Sequence, residues 1–215
     1  MAISRREFLA SASALAAGFA AVTALPVSAF AADKVDMDEV LKEGALPDKI
    51  QGAADAPVTM VEYSSLTCPH CAAFHNSTYA EVKKKYIDTG KIRYITREFP
   101  LDPLAAGGAM LARCAPNDNF HAMNDLLFET QRTWAASPNP VDALLKLAKQ
   151  VGFTQDGFTK CLQDQKLLDN IRAVSQRGSE KFGIDSTPSF IINGELHRGA
   201  LSIEDIDKIV APLIK

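Results

Sequence analysis

Cys68-Pro69-His70-Cys71 sets two thiols within one helical turn of each other, and that spacing suits thiol–disulfide exchange. The thiolate is the nucleophile in such exchange, so the first cysteine needs surroundings that favour its ionised form. At the start of a helix it would lie beside unsatisfied backbone N–H groups and the positive end of the helix dipole. Pro69 fits that first turn, where a missing N–H forfeits nothing. Cys71, three residues on, returns to the same face, within reach to form or resolve a disulfide. His70, between them, can donate a hydrogen bond or a positive charge to the thiolate. Moving a thiol pKa from about 8.5 to about 6 stabilises the thiolate by about 3.4 kcal/mol. This stabilises the reduced pair, so the disulfide is readily given to another protein. The motif predicts an oxidant.

Two other uses of a CxxC fit less well. A closed zinc site needs a second ligand pair at similar spacing, but the remaining cysteines stand alone at 114 and 161. His75, His121 and His197 are scattered, so no metal is expected. A purely structural disulfide across two intervening residues would remove almost no loop entropy.

The elements around the motif place it where a strand ends and a helix begins. Val58 to Tyr63 is a β-branched run of strand length. After Ser64–Thr67 comes a helix in which Cys71, Phe74, Thr78, Val82 and Tyr86 recur at steps of three and four. Lys91 to Phe99 reads as a second strand, closed by Pro100 and Pro103. Strand, helix, strand implies a parallel pair with a crossover helix. From Leu104 to about Phe182 no strand is expected. Phe120, Met123, Leu127 and Trp134 mark one amphipathic helix, Val141, Leu144, Leu145 and Ala148 another, and Leu167, Leu168, Ile171 and Val174 a third. Ser189–Ile192 then turns at Asn193-Gly194 into Glu195–Arg198, a hairpin signal. The last helix starts at Ser202 with Asp205 as a variant capping box, and Ile206, Ile209, Val210 and Leu213 on its buried face. The fold class is therefore α/β, with an all-helical lobe inserted into the α/β core.

Composition removes other classes. Apolar residues make up 47% of the 215 and charged residues 23%, which is ordinary for a globular protein. A net charge of −3 offers no electrostatic basis for binding nucleic acid. Twelve glycines and 11 prolines are too few for a collagenous or disordered chain. Residues 1–31 read as an export signal: Ser4-Arg5-Arg6-Glu7-Phe8-Leu9, an alanine-rich run to Leu25, Pro26, and the small-x-small pattern Ala29-Phe30-Ala31. The paired arginines resemble a bacterial twin-arginine signal. Ala10 stands where that signal often has lysine, so an ordinary secretory route stays open. A membrane anchor is disfavoured by Ser11, Ser13, Gly18 and Thr23 in a mostly alanine span. The mature protein is expected in the periplasm, an oxidising compartment.

The segment Val61-Glu62-Tyr63-Ser64-Ser65-Leu66-Thr67-Cys68-Pro69-His70-Cys71 resembles the active-site segment of the DsbA family of thiol–disulfide oxidoreductases. The resemblance implies a thioredoxin fold with an inserted all-helical domain. It divides the chain into an N-terminal extension (32–56), a first thioredoxin-like part (57–103), the insert (104–182) and a second thioredoxin-like part (183–215). It makes Cys68 the exposed attacking thiol and Cys71 its buried partner. Thr187-Pro188 matches the loop whose proline is cis and faces the active site, where backbone groups can pair with a substrate strand. Glu62 matches the acidic residue beneath the disulfide and could relay a proton to or from Cys71.

In an exported protein two leftover cysteines most often pair, which points to a Cys114–Cys161 disulfide; two buried free thiols are the alternative. Closing a loop of about 48 residues would contribute about 4 kcal/mol in the chain-entropy picture. Trp134, His75, His121 and Arg198 are expected to pack or to face solvent, without chemistry. The function implied is a monomeric periplasmic dithiol oxidase without a cofactor, acting on exported cysteine-containing proteins. Its reoxidant would be a quinone-linked membrane partner resembling DsbB. A disulfide isomerase or reductase and a non-redox peptide-binding chaperone are the competing functions. For an isomerase, residues 33–57 are too short to form a dimerisation module.

Overall fold

The computed structural model describes residues 33–214; the expected export signal lies outside the described residues. In chain order the strands are β1 (Asp33–Lys34), β2 (Lys49–Gln51), β3 (Val58–Ser64), β4 (Ile92–Glu98), β5 (Ser189–Ile192) and β6 (Glu195–Arg198). They form one sheet in the order β1-β6-β5-β3-β4-β2. β3 and β4 pair in parallel, and every other neighbouring pair is antiparallel. A short helix, α1 (Met37–Val40), lies between β1 and β2 and is capped by the Asp36 carboxylate on the Asp38 N–H.

The crossover from β3 to β4 is one run of helix with two wider turns: α2 (Pro69–Phe74), a π turn (His75–Tyr79), α3 (Ala80–Val82) and a second π turn (Lys83–Ile87). Each π turn shifts the helix face relative to a regular 3.6-residue repeat. The insert consists of α4 (Pro103–Arg113), α5 (Phe120–Glu129), α6 (Gln131–Ala135), α7 (Pro140–Gln150), α8 (Gln155–Leu162) and α9 (Gln165–Phe182). α4 starts where the second strand's prolines fall, with Pro103 in its first turn and the Asp102 side chain accepting from the Ala105 N–H. α9 ends at Gly183, whose φ of 68° is the left-handed cap that glycine adopts without a Cβ penalty.

Alternation along β3 builds the core. Val58 and Met60 face one side, packing with Phe74, Val82, Ile92, Phe190 and the last helix, α10 (Ile203–Val210). Val61 and Tyr63 face the other, against Ile95, Ile191, Val174 and Phe182. The insert has its own apolar centre around Trp134, Met123, Leu127 and Leu111, and this centre extends to Leu66, Cys68 and Cys71. The thiols therefore sit where the insert meets the sheet.

Some elements depart from the sequence reading. α10 carries the Ser202–Asp205 capping box in both directions, but it ends at Val210. Leu213, expected on its buried face, is 39% exposed because the helix has stopped. The single helix expected from Phe120 to Trp134 is broken at Thr130 into α5 and α6. β1 and β2, both unexpected, cover the two outer strands of the hairpin and the parallel pair. The Asn193-Gly194 turn has φ of 44° and 91°, the positive values a tight two-residue hairpin requires. A Cβ on Gly194 would lie 2.9 Å from the Val35 carbonyl oxygen, so glycine also leaves room for the segment after β1.

Candidate active site

The register of the sheet assembles the site at one end. Tyr63 of β3 faces Ser189 of β5, so the chain leaving β3 toward the cysteines passes the loop that enters β5. Cys68 is the N-cap of α2, with extended backbone (φ −75°, ψ 121°), and Pro69 occupies the first turn. The preceding loop is tied down on both sides. Thr67 Oγ1 donates to Asp102 Oδ2 at 2.5 Å, and the Ser65 hydroxyl accepts from the Leu101 N–H at 3.3 Å. From the insert, buried Gln131 donates both amide protons to backbone, to the Leu66 carbonyl (2.8 Å) and the Cys68 carbonyl (2.9 Å).

Both thiols are buried: Cys68, expected to be exposed, is only 6% exposed because it packs into the apolar centre of the insert, yet the electrostatic surroundings of the two sulfurs are opposite. The Cys68 thiol is pushed down to about 5, first by the hydrogen bond from the Cys71 thiol, against burial. Thr187 and the backbone N–H groups of Cys71 and His70 help. In its protonated form Cys68 Sγ points at the Thr187 carbonyl oxygen, 3.2 Å away. That contact needs the thiol proton. The Thr187 hydroxyl is buried and has no protein partner, so it is the group free to donate once Cys68 ionises. Cys71 is fully buried, and burial pushes its thiol far up, reinforced by the hydrogen bond to Cys68 and by the negative charge of Glu62. One sulfur is thus held ready as a thiolate, while its neighbour is held as a thiol.

Thr187-Pro188 is a cis peptide bond, and the loop it forms is fixed by Ser189 Oγ on the Ser186 carbonyl (2.8 Å) and by the Gly199 N–H on the Pro188 carbonyl (2.8 Å). Glu62 is wholly buried. It accepts from the Tyr94 hydroxyl at 2.6 Å, and both its oxygens lie 3.1 Å from His75 Nε2. Cys71 and His75 are four residues apart, so successive turns of the helix place thiol and imidazole on one face, above β3.

The thioredoxin family profile matches residues 45–211. Among solved structures, α-DsbA1 of Wolbachia pipientis is 33% identical with a TM-score of 0.76, over 83% of this chain and 96% of that one. The chain belongs to the thioredoxin family, among its DsbA proteins. BdbD of Bacillus subtilis shares the fold at 18% identity, with a TM-score of 0.70 over 85% of this chain and 97% of that one. A Rickettsia bellii protein named as a protein-disulfide oxidoreductase is 36% identical over 148 residues, 68% of this chain and 57% of that protein. The chain therefore spans less than two thirds of that relative.

In this DsbA-family chain the structure brings Cys68, Cys71, Thr187, Pro188 and Glu62 to one place. His70 is close by, but its ring is exposed, and what reaches Cys68 is its backbone N–H rather than the imidazole anticipated from the sequence. Cys114 and Cys161, at the end of α4 and in α8, are joined as a disulfide with Cα atoms 6.1 Å apart. Among the described residues no three His, Cys, Asp or Glu side chains gather as a metal site. None of the described helices is long and apolar enough to cross a membrane.

Two contributors escaped the sequence reading. His75, expected to pack without chemistry, is the buried partner of Glu62. A histidine four residues after the second cysteine, on the face turned to the strand carrying Glu62, was the available signal. Gln131 left none, because its partners lie 65 and 63 residues away.

Proposed function

We propose that this DsbA-family chain is a protein thiol–disulfide oxidoreductase that donates a Cys68–Cys71 disulfide to cysteine-containing proteins exported to the periplasm. The observation that carries this is the split between the two sulfurs: a thiolate-favouring Cys68 at the N-terminus of α2 and a buried Cys71 held as a thiol. A substrate thiolate attacks Cys68 Sγ, the Cys68–Cys71 bond breaks, and Cys71 leaves with the electron pair and takes up a proton. A second substrate thiolate then attacks the substrate sulfur of the mixed disulfide and displaces Cys68. Its low pKa makes Cys68 a good leaving group at this step. The substrate leaves oxidised and the enzyme is left as thiolate plus thiol.

The Thr187–Pro188 loop lies against Cys68, where an extended substrate segment would bind beside the reacting sulfur. Glu62 passes the proton to Cys71 as it leaves. The arginine pair and alanine-rich run at the N-terminus support export, and the reoxidant would be a DsbB-like quinone-linked membrane protein acting on a monomer. Insert and thioredoxin-like parts divide at residues 104 and 182.

The test is oxidative refolding of a reduced, unfolded disulfide protein by the oxidised chain, beside repair of a scrambled one. Stoichiometric disulfide transfer with poor repair is the expected result. Efficient repair would move the assignment to an isomerase or reductase, and no transfer of either kind would leave a non-redox peptide binder.

A further inference from the structure

The chemistry at Cys71 requires a proton to reach a buried sulfur and to leave it again. Glu62, beside it, is itself without exposure. Its contacts run inward to Tyr94 and across to His75. The His75 side chain is only 3% exposed. Its ring is stacked on Phe128 with centroids 4.0 Å apart and planes 16° from parallel, and it packs beside Tyr79. This fixes which way each nitrogen points. Nε2 faces both Glu62 oxygens, while Nδ1 is buried without a hydrogen-bond partner. A buried ring nitrogen left unpaired costs free energy unless something else is gained. Four ångströms from it lies Asp125 Oδ1, on α5, with its side chain 44% exposed.

We propose that His75 and Asp125 form the outer half of a proton path between Cys71 and solvent, with Asp125 as its mouth. This rests on the dithiol-oxidase reading. When the Cys68–Cys71 bond is reduced, the Glu62 carboxylate takes the proton of His75 Nε2 and passes it on to Cys71, and is left ionised as before. Nδ1 takes a proton from Asp125, and Asp125 takes one from water. One proton enters in all, matching the one that Cys71 gains. When Cys68 thiolate later attacks an acceptor disulfide and Cys71 closes the bond, the same proton runs outward. Inward transfer moves the histidine proton from Nε2 to Nδ1, and outward transfer moves it back. The ring is thus restored over one full cycle without turning. The 4.0 Å gap is bridged by a water or by a small movement of the half-exposed carboxylate.

The neighbouring groups suit this role. Burial holds the Asp125 carboxyl above its ordinary range, with the charges of Glu129 and Glu62 adding to the rise and those of His75 and Lys83 opposing it. Burial and the Glu62 charge likewise hold Tyr94 far above neutral, so it remains a hydrogen-bond donor to Glu62 throughout. Tyr79, raised by burial, stays protonated as well and donates to Gln51 rather than to the histidine. The remaining face of the imidazole is closed by Phe128.

The test reduces the oxidised full chain with dithiothreitol in weakly buffered solution. Proton uptake is followed with an indicator dye, and loss of the Cys68–Cys71 disulfide by acid quench and alkylation, across a range of pH. Asp125→Asn should slow both by about tenfold near neutrality, part of the gain usual for a positioned proton carrier. Asp125→Glu should keep the native rate, and added imidazole buffer should restore the Asp125→Asn rate. The Cys68 titration and the melting temperature should not move, because the carboxylate is partly exposed and touches neither thiol. An Asp125→Asn protein with the native rate and pH profile overturns the proposal, as does a slow one that buffer does not rescue. If the native chain fails to oxidise a reduced dicysteine peptide, the oxidase reading falls, whereas the proton path is judged on the dithiothreitol arm alone.

Discussion

The molecule contains two cysteine pairs that share one apolar cluster and differ in almost every physical respect. Cys68 and Cys71 are separated by two residues at the start of a helix, where backbone N–H groups and a thiol donor converge on one sulfur. Cys114 and Cys161 are 47 residues apart on two helices of the insert, with neither at a helix N-terminus. Closing the first pair constrains almost no chain, so its bond is free to serve exchange. Closing the second removes a long loop from the unfolded ensemble. Reactivity follows from the backbone around a sulfur, and stabilisation from the length of chain between two of them.

The largest effect that could break this division is on turnover. Cys68→Ser should abolish dithiol oxidation. Cys71→Ser cannot form the internal bond and should not oxidise either, but its Cys68 thiolate should attack an oxidised peptide and accumulate the mixed disulfide, because Cys71, which would close onto Cys68 and release the peptide, is gone. Oxidation of a reduced dicysteine peptide checks the loss of activity, and non-reducing gel analysis after mixing with the oxidised peptide checks the trapped mixed disulfide. Full turnover by Cys71→Ser, or faster alkylation at Cys71 than at Cys68, would reverse the roles.

Removing the other pair should act on stability instead. A Cys114→Ser, Cys161→Ser double variant should lose up to about 4 kcal/mol by the loop-entropy argument. In a chain of this size that lowers the melting temperature by roughly 8–16 °C. The redox potential of the Cys68–Cys71 pair should move little. Lost oxidase activity at an unchanged melting temperature would mean that the second pair is itself redox-active.

Much of this contrast is legible in the sequence, and the exceptions share a cause. The parallel pair and the hairpin announce themselves because Val58–Tyr63 and Ser189–Ile192 are short runs of strand-forming residues buried on both faces, and the insert because its Leu and Phe repeats bury one helix face with a regular period. β1 and β2 do not, being two and three residues long and nowhere fully buried. Cys68 and Cys71 were found because motif and local structure coincide within four residues. The His75–Glu62 contact spans 13 residues and Gln131 reaches across more than 60, so both depend on how helix, strand and insert pack. The π turn starting at His75 adds a local offset that no apolar repeat shows.

A subtler test uses pH to separate the pairs. A thiol lowered from about 8.5 in the unfolded chain to about 5 in the folded one stabilises the reduced protein fully above the unfolded value. The contribution shrinks as pH falls between the two values and is gone below about 5. The oxidised protein has no such group at position 68. The reduced form should therefore gain stability relative to the oxidised form as pH rises from 5 to 8.5, a trend visible in paired denaturant titrations. The double serine variant should show the same slope, because the insert disulfide does not titrate. A slope of opposite sign would mean that neither thiol of the pair is lowered in the folded protein.

The smallest expected effect sharpens the account of why Cys68 alone is activated. The His70 ring is exposed, and it is the His70 backbone N–H that reaches the sulfur. His70→Ala keeps that N–H and removes only the imidazole, so the Cys68 pKa should rise by less than about one unit. His70→Pro removes the donor itself, at a position in the first helical turn where proline is tolerated. It should raise the thiol further than alanine does. Titration of the thiolate's ultraviolet absorbance in the two variants reads the difference directly. If alanine produced the whole rise and proline added nothing, the imidazole would be the activating group, and the comparison of the two cysteine pairs would have to include a side-chain charge that only the first possesses.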